Sequence, residues 1–475
     1  MDTILTLLTD TFYLLYIITI IGTIVVVIMD NRNPVKTLAW ILVLTFLPVL
    51  GLILYITFGQ KRHKHHVIAK RSYKKITKKN LSYYSKIADT NVPKEYEGLT
   101  SLMKNMADAP LYAQNDIEVY DNGYDKIKSL LNAISQARHH IHIEYYIFAD
   151  DSTGRIVKDA LIDKAKEGVT VRIIIDDVGC WHLNKSFIEE MTKAGIQVVK
   201  FLKVQLPYLS SRINYRNHRK NVIIDGKTGF IGGMNIADRY VNGVKWGQWR
   251  DTHLKIEGIA VQGLQTSFLS DWYFVTKELI TDKAYFPPVS PQGESLVQIV
   301  QSDPIDEWKE IMQGMTYAIM NAKNYVYIQT PYFLPTEPFI NALQTASMSG
   351  VDVRVMIPEK SDTLLVQYAS FSYIKDLLTA GIKVYFYKDG FLHAKTIISD
   401  DNFASVGSTN MDFRSFEQNF ELNAFIYDKK TTLMLKEMFH KDMRHSRRIL
   451  LKNWNKRPIY HKTKESFIRI FSPLL

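Results

Sequence analysis

Two short segments of this 475-residue chain carry the same reactive side chains in the same order. His218–Asn235 reads HRKNVIIDGKTGFIGGMN and His393–Asn410 reads HAKTIISDDNFASVGSTN, an offset of 175. In each, a lysine follows the histidine by two residues and opens a β-branched run. Turn residues end the run, Asp225–Gly226 in one copy and Asp400–Asp401–Asn402 in the other. On a strand, residues i and i+2 share a face, so His218 points with Lys220 and His393 with Lys395. A two-residue hairpin loop sets His218 opposite Asn235 and Lys220 opposite Gly233. The same register sets His393 opposite Asn410 and Lys395 opposite Ser408. Each copy then gathers His, Lys and Asn on one patch, beside a small residue that lets a ligand approach the backbone. One imidazole can attack phosphorus while the other protonates the departing alkoxide. Two lysines and two asparagines can hold the non-bridging oxygens as charge builds. This chemistry calls for no carboxylate cluster, and neither a metal nor a cofactor is expected. Asp225 and Asp400 fall at the turns and read mainly as hairpin formers, reaching the site at most indirectly.

The elements that must position these residues are also written twice. GVTVRIIIDD at 168–177 pairs with GVDVRVMIPE at 350–359, AGIQVVK at 194–200 with AGIKVYF at 380–386, and IHIEYYIF at 141–148 loosely with VYIQTPYF at 326–333. The offsets are 182, 186 and 185. Order is kept, and the shorter offset of 175 implies about eleven extra residues before His218, within 201–217. That insertion reads as a loop lining the entrance to the site. Apolar β-rich runs alternate with helical stretches such as Ile156–Glu167 and Phe339–Met348, which predicts an α/β fold with helices on the faces of a sheet. The Pro-rich FPPVSPQGES at 286–295 is the expected joint between two halves, 111–286 and 287–475.

Composition narrows the setting. Apolar residues make up 46% and charged residues 23%, which is globular. The single cysteine, Cys180, excludes a disulfide framework, a Cys-based zinc finger and an iron–sulfur cluster, and reads as a small packed residue. The net charge is +11, and its placement is uneven. Residues 61–79 carry +9 and residues 444–475 carry +8, which leaves the remainder at −6. A nucleic-acid groove more often spreads its charge over the body, so no nucleic-acid partner is expected.

Thr11–Met29 and Thr37–Phe58 have no formal charge, and each is long enough to span a bilayer. The short link between them predicts a two-helix transmembrane hairpin over residues 1–60. Asp2 and Asp10, with no Lys or Arg before the first stretch, argue against a signal peptide. The basic run at 61–79, in a linker over 61–110, places the rest of the chain in the cytoplasm by the positive-inside rule. That run is a stop-transfer flank or a binder of anionic headgroups. The tail from Arg444 is basic and amphipathic, and is either interfacial or packed on the body.

The pattern HxK(x)4D(x)6G, present twice, resembles the phospholipase D superfamily, and the resemblance covers essentially the whole chain after residue 110. The N-terminal RNPVKTLAWILVLTFLPVLGLILYITFG, with EYYIF at 144–148, DDVG at 176–179 and TPYFLP at 330–335, is similar more narrowly to bacterial cardiolipin synthases. The resemblance implies two pseudo-symmetric sandwich domains and a transphosphatidylation at a bacterial plasma membrane. One histidine takes a phosphatidyl group from phosphatidylglycerol as a phosphohistidine, releasing glycerol, and a second phosphatidylglycerol resolves it. Phosphatidylglycerol and other anionic phospholipids are thus the implied partners. Asp225 and Asp400 join His218, Lys220, His393 and Lys395 in the implied catalytic set, with His218 as nucleophile and His393 as general acid. Asp251 and Glu421 match a downstream acid of the family, although their offsets from the histidines differ, 33 against 28.

The same residues with water as acceptor would make a membrane-bound phospholipase D or phosphodiesterase. A lipid-binding scaffold is the non-enzymatic rival. His140, His142 and Glu144 alternate on one strand face in a metal-like spacing, but strand alternation accounts for them. Glu144 and its counterpart Gln329 are expected near the site, Glu144 among the substrate contacts. His63, His65 and His66 belong to the basic flank.

Overall fold

A computed structural model describes residues 2–29, 34–55, 92–204, 214–304, 306 and 308–474. The basic run 61–79 with His63, His65 and His66, the link at 30–33 and the middle of the insertion at 205–213 lie outside the described residues. The chain divides into two compact units, 1–63 with 204–214, and 64–203 with 215–475.

In the first unit Asp2–Met29 is one helix, and its Asp10–Met29 portion is long and apolar enough to cross a membrane. Thr11, Thr19 and Thr23 donate their hydroxyls to carbonyls four residues back, which satisfies their polarity within the helix. The second apolar stretch, expected as a single span, is divided into Pro34–Phe46 and Pro48–Leu54, with Leu47 at φ −128°, ψ 63° between them. Pro48 has no N–H and disfavours helical backbone at the residue before it. Among the described residues, one helix therefore has spanning length. Val27 packs with Leu44 and Tyr55.

The second unit is built on one mixed sheet of fifteen strands. Residues 111–258 supply β1 Leu111–Tyr120, β2 His140–Tyr145, β3 Thr170–Asp176, β4 Gln197–Phe201, β5 Lys220–Ile224, β6 Thr228–Gly232, β7 Gln248–Arg250 and β8 His253–Gly258. Next come β9 Ser295–Ser302, β10 Tyr325–Gln329, β11 Phe333–Leu334, β12 Asp352–Pro358, β13 Lys383–Tyr387 and β14 Gly390–Leu392. The last five are β15 Thr396–Ser399, β16 Phe403–Gly407, β17 Met411–Asp412, β18 Glu421–Ile426 and β19 Ser446–Ile449. Antiparallel β1 and β9 meet at the middle of the sheet. Outward from them one side runs β8, β6, β5, β2, β3, β4, and the other β18, β16, β15, β10, β12, β13, β19. Beside the sheet, β7 pairs with β14 and β11 with β17.

Strands β2, β3, β10 and β12 are buried almost throughout, as parallel strands covered on both faces must be. Alternate residues serve opposite faces. Ile143, Ile173 and Ile224 pack under helices Gly123–Gln136, Ser152–Lys166 and Lys185–Lys193. Val326, Val355 and Ile397 pack with Ile311, Met315, Phe339 and Leu343 of helices Glu310–Asn321 and Glu337–Met348. On the other face Phe268 of helix Val261–Thr276 and Phe439 of helix Lys429–Arg444 share one cluster with Ile256, Ile398 and Ala424.

Both hairpins carry a three-residue turn, so the expected register is off by one. Ile224 pairs with Thr228 and Ser399 with Phe403. The cause is a pair of left-handed residues in each turn, Asp225 with Gly226 and Asp400 with Asp401. Lys220 then comes level with Gly232 rather than Gly233, and Lys395 with Gly407 rather than Ser408. The tail forms helix Ile459–Arg469, which buries Glu465 and Ile468 and leaves Ile459, Tyr460, Phe467, Ile470 and Phe471 exposed.

Candidate active site

Each His-x-Lys segment is anchored by backbone from the other half of the chain. The His218 N–H donates to the Phe420 carbonyl at 2.9 Å, and the His393 N–H to the Arg250 carbonyl at 2.6 Å. The residue following each of those carbonyls is an acid. Glu421 thereby meets His218, with Nδ1 to Oε1 at 3.0 Å and to Oε2 at 3.1 Å. Asp251 meets His393, with Nδ1 to Oδ2 at 2.6 Å. The carboxylates are thus exchanged between the halves. Each carboxylate at Nδ1 fixes that ring nitrogen as the protonated one and leaves Nε2 with the lone pair. Lys220 and Lys395 fold back to donate to the carbonyls of His218 and His393, and Lys395 Nζ also lies 2.9 Å from His393 Nδ1.

The electrostatics follow from burial. Burial pushes His218 down to about 4 against the pull of Glu421, and drives His393 well below its ordinary value, helped by Lys395 and Lys220. Burial thus favours the neutral form of both rings. Burial lowers Lys220 to about 7 and Lys395 to about 8, with Glu421 and Asp251 resisting. Burial raises Asp251 to about 6, whereas in Glu421 it is outweighed by His218, Lys220 and Ser408, which bring the acid to about 2. Two lysines held near their deprotonation point gain most when an anion arrives.

The two histidines face a cavity of about 360 Å³, whose lining includes Asn235 and Asn410. Asn235 is fixed by the Ile147 N–H on its Oδ1 and by Tyr240 on its Nδ2, while Asn410 Oδ1 is buried and has no hydrogen-bond partner among the described residues. Aromatic rings wall the cavity. Tyr146 stands edge-on to His218 at 5.1 Å, and Trp249, Phe391 and Tyr240 surround His393 at 5.2, 5.6 and 5.9 Å.

The chain matches the family model described as cardiolipin synthase, PLD-like domain, over residues 130–272 and 315–443, and that described as phospholipase D-nuclease N-terminal over 17–60. It is 41% identical over 474 residues to the major cardiolipin synthase ClsA of Bacillus subtilis (strain 168), covering 97% of this chain and 98% of the relative. It is 40% identical over 474 residues to a cardiolipin synthase of Halalkalibacterium halodurans, covering 98% and 94%. The chain belongs to the cardiolipin synthases of the phospholipase D superfamily. It is a phosphatidyltransferase of the phospholipase D type, an enzyme of phospholipid synthesis. A phosphatidylserine synthase from Haemophilus influenzae Rd KW20 shares the fold, with a TM-score of 0.57 at 15% identity, covering 80% of this chain and 98% of that one.

In this cardiolipin synthase several residues expected at the site lie elsewhere. Asp225 and Asp400, counted with the catalytic set, cap backbone at the far end of their strands. Asp225 accepts from the N–H groups of Arg138, His139 and His140, and Asp400 from those of Lys323, Asn324 and Tyr325. Gly233 and Ser408, expected as substrate contacts, back the acids instead. A Cβ on Gly233 would meet Asp251 Oδ1 at 2.1 Å, and the Ser408 hydroxyl donates to Glu421. Asp251 and Glu421 themselves sit behind the histidines and are fully buried. Glu144 is also fully buried, holding Asn217 at 2.5 Å, and does not line the cavity. Its counterpart Gln329 binds Asp442. His142 stacks between Phe268 and Tyr285 with its Nδ1 on Gln265, and buried Cys180, its thiol pushed up to about 12 by burial, lies against Phe148 N at 3.4 Å.

Sequence reasoning missed the scaffold behind the histidines. Asp176 accepts from the N–H groups of Val178, Gly179 and Asn217 and pairs with Arg216, fixing the segment that leads into His218. The signal was present in DDVG at 176–179, but without a partner residue to attach it to. Arg239, Arg414, Tyr332 and Asp362 also line the cavity unforeseen.

Proposed function

We propose that the chain transfers a phosphatidyl group from one phosphatidylglycerol to a second, yielding cardiolipin and glycerol. His218 Nε2 attacks the donor phosphorus and the bond to the glycerol headgroup breaks, with His393 delivering a proton to the departing oxygen. The hydroxyl of the second phosphatidylglycerol then gives its proton to His393 and forms the new O–P bond as the P–N bond to His218 breaks. Lys220, Lys395, Asn235 and Asn410 hold the non-bridging oxygens, and Asp251 and Glu421 act as positioning residues. The observation that carries this reading is the exchanged pairing of two imidazoles with two buried carboxylates across one cavity. His218 is favoured as nucleophile because its Nδ1 meets Glu421, the more firmly ionised of the two acids at about 2, whereas His393 Nδ1 meets Asp251 at about 6. A phosphohistidine ring carries positive charge for the life of the intermediate, which a firmly ionised carboxylate balances. The donor phosphodiester supplies the negative charge that lets His393 carry its proton.

Placement in the cell belongs to the same reading. Residues 1–60 form a hairpin through the cell membrane, with the basic linker 61–110 and the body on the cytoplasmic side. The body comprises two pseudo-symmetric phospholipase D-type domains, 111–286 and 287–475. The exposed apolar side chains of the C-terminal tail, flanked by its Lys and Arg, rest in the interface of an anionic bilayer, which brings the site to its lipids. Nucleic acid is not a substrate. The test is purified protein in phosphatidylglycerol vesicles without added metal. Cardiolipin with released glycerol, lost in H218A and H393A, is expected. Phosphatidic acid with glycerol and no cardiolipin would replace transfer by hydrolysis.

A further inference from the structure

The cavity holds two arginines that the transfer chemistry leaves unused. Arg239 and Arg414 occupy the same place in the two copies, four residues after Asn235 and Asn410. Both line the cavity, Arg414 partly buried and Arg239 exposed at its edge. Their neighbours Arg216, Arg219 and Arg250 are buried and each tied to an aspartate, Asp176, Asp271 and Asp442 respectively. Neither Arg239 nor Arg414 has a side-chain hydrogen bond or ion pair among the described residues. Arg239 instead lies over aromatic faces, 5.0 Å from the Trp249 ring centre and 5.6 Å from that of Tyr240, a placement that orients a guanidinium without neutralising it. Since the Trp249 ring is 5.2 Å from His393, Arg239 lies no more than about 10 Å from that imidazole. Arg414 acts electrostatically on Tyr146, which stands edge-on to His218, and on Asp412.

The transfer reading, on which this inference rests, makes an unequal demand on the two sides. The group leaving past His393 is plain glycerol. The group entering there is a glycerol already esterified to a second phosphate. The two phosphates of the product are joined by a three-carbon bridge and stand roughly 7 Å apart on ordinary bond lengths. A site selective for that acceptor needs a cation one glycerol length beyond the reacting phosphorus, on the His393 side. We infer that Arg239 binds the phosphate of the acceptor lipid, and so selects an anionic glycerophospholipid over free glycerol or water to resolve the phosphohistidine. The acceptor phosphate takes no part in bond making. It fixes the hydroxyl between His393 and phosphorus, while Arg414 faces the donor.

The experiment uses the full chain in phosphatidylglycerol vesicles containing labelled free glycerol. Cardiolipin formation and exchange of label into phosphatidylglycerol are read in one sample, so partial loss of folded protein cancels from their ratio. Wild type forming no cardiolipin, only phosphatidic acid, would overturn the transfer reading and this inference with it. With cardiolipin formed, R239Q is expected to lower the ratio of cardiolipin to exchange by about tenfold or more, the scale of a lost charge-assisted hydrogen bond. R239K is expected to recover part of it, and R414Q to depress both readouts together. An unaltered ratio in R239Q, or an equal fall in R414Q, would overturn the assignment of the acceptor phosphate to Arg239.

Discussion

The aspartates of the repeated segments offer a sharp test, because their sequence context places them with the catalytic residues and their geometry does not. Asp225 lies five residues of extended chain beyond Lys220, roughly 15 Å at strand rise. Its carboxylate takes three backbone N–H groups at 2.8, 2.8 and 2.9 Å where β2 begins. Because the group is half-exposed, each bond is worth nearer the low end of the usual range, about 0.5–1 kcal/mol. Asp225 also sits at φ 53°, where alanine costs about 1 kcal/mol more and asparagine is tolerated. D225A should therefore lose about 3 kcal/mol and D225N about half of that. For a unit this large the melting temperature of D225A should fall by about 5 °C. Assayed well below melting, kcat per folded molecule should stay within about threefold of wild type. D400A should behave alike, and the two losses should add, since the sites share no partners. The measurement is thermal unfolding alongside cardiolipin formation per folded protein. A D225N protein that melts like wild type yet has lost a hundredfold or more in kcat would refute the structural assignment and return Asp225 to the chemistry.

Other consequences are open to equally direct measurement. The apparent kcat/KM for phosphatidylglycerol vesicles should fall as pH rises through 7–8, because Lys220 at about 7 and Lys395 at about 8 lose the charge that receives the phosphate; a profile flat to pH 9.5 would contradict it. On the acid side activity should decline below about 6 as Asp251 is protonated and releases His393, and D251N should abolish that limb along with most of the rate. G233A should cut activity at least tenfold with the fold retained by circular dichroism, since its Cβ would meet Asp251 Oδ1 at 2.1 Å; full activity would mean that Asp251 is not held there. In S408A, loss of the hydroxyl that supports Glu421 should raise the acid's pKa from about 2 and reduce kcat by about fivefold.

What the sequence discloses here follows the range of the interactions. The shared face of His218 with Lys220 is a matter of strand period, and the hairpins are announced by their turn residues. The register escaped by one position because it depends on the backbone of Asp225, a residue that tolerates the left-handed region without demanding it. The break before Pro48 was legible as a proline inside an apolar run but was absorbed into the membrane-span reading. The pairings of Asp251 with His393 and of Glu421 with His218 were beyond local reasoning. They span 142 and 203 residues and exist because β7 lies beside β14, and Asn217 beside Phe420. Resemblance marks both acids by their distance downstream, which does not say which histidine each one meets. The repeat of Arg239 and Arg414 is visible in the letters, but nothing there tells that both line one cavity.

The exchange of carboxylates changes what the duplication means for catalysis. Each half carries a histidine, a lysine and an asparagine of its own, but the group that fixes its imidazole tautomer comes from the other half, delivered by the same backbone contact that anchors the histidine. A shift between the halves would displace hydrogen bond and carboxylate together and leave both rings without orientation. The β1–β9 join, extended by β18 onto β9, therefore supports the candidate site even though none of its described side chains lines the cavity. Under the proposed transfer, the two nearly identical patches take different roles. Glu421 is steadied by the Ser408 hydroxyl where the other copy has Gly233, and among the described residues His393, unlike His218, has a lysine at Nδ1. One ring is thereby backed by a firmly ionised carboxylate and the other by an acid near its titration point, which is the inequality that a nucleophile and a proton carrier require.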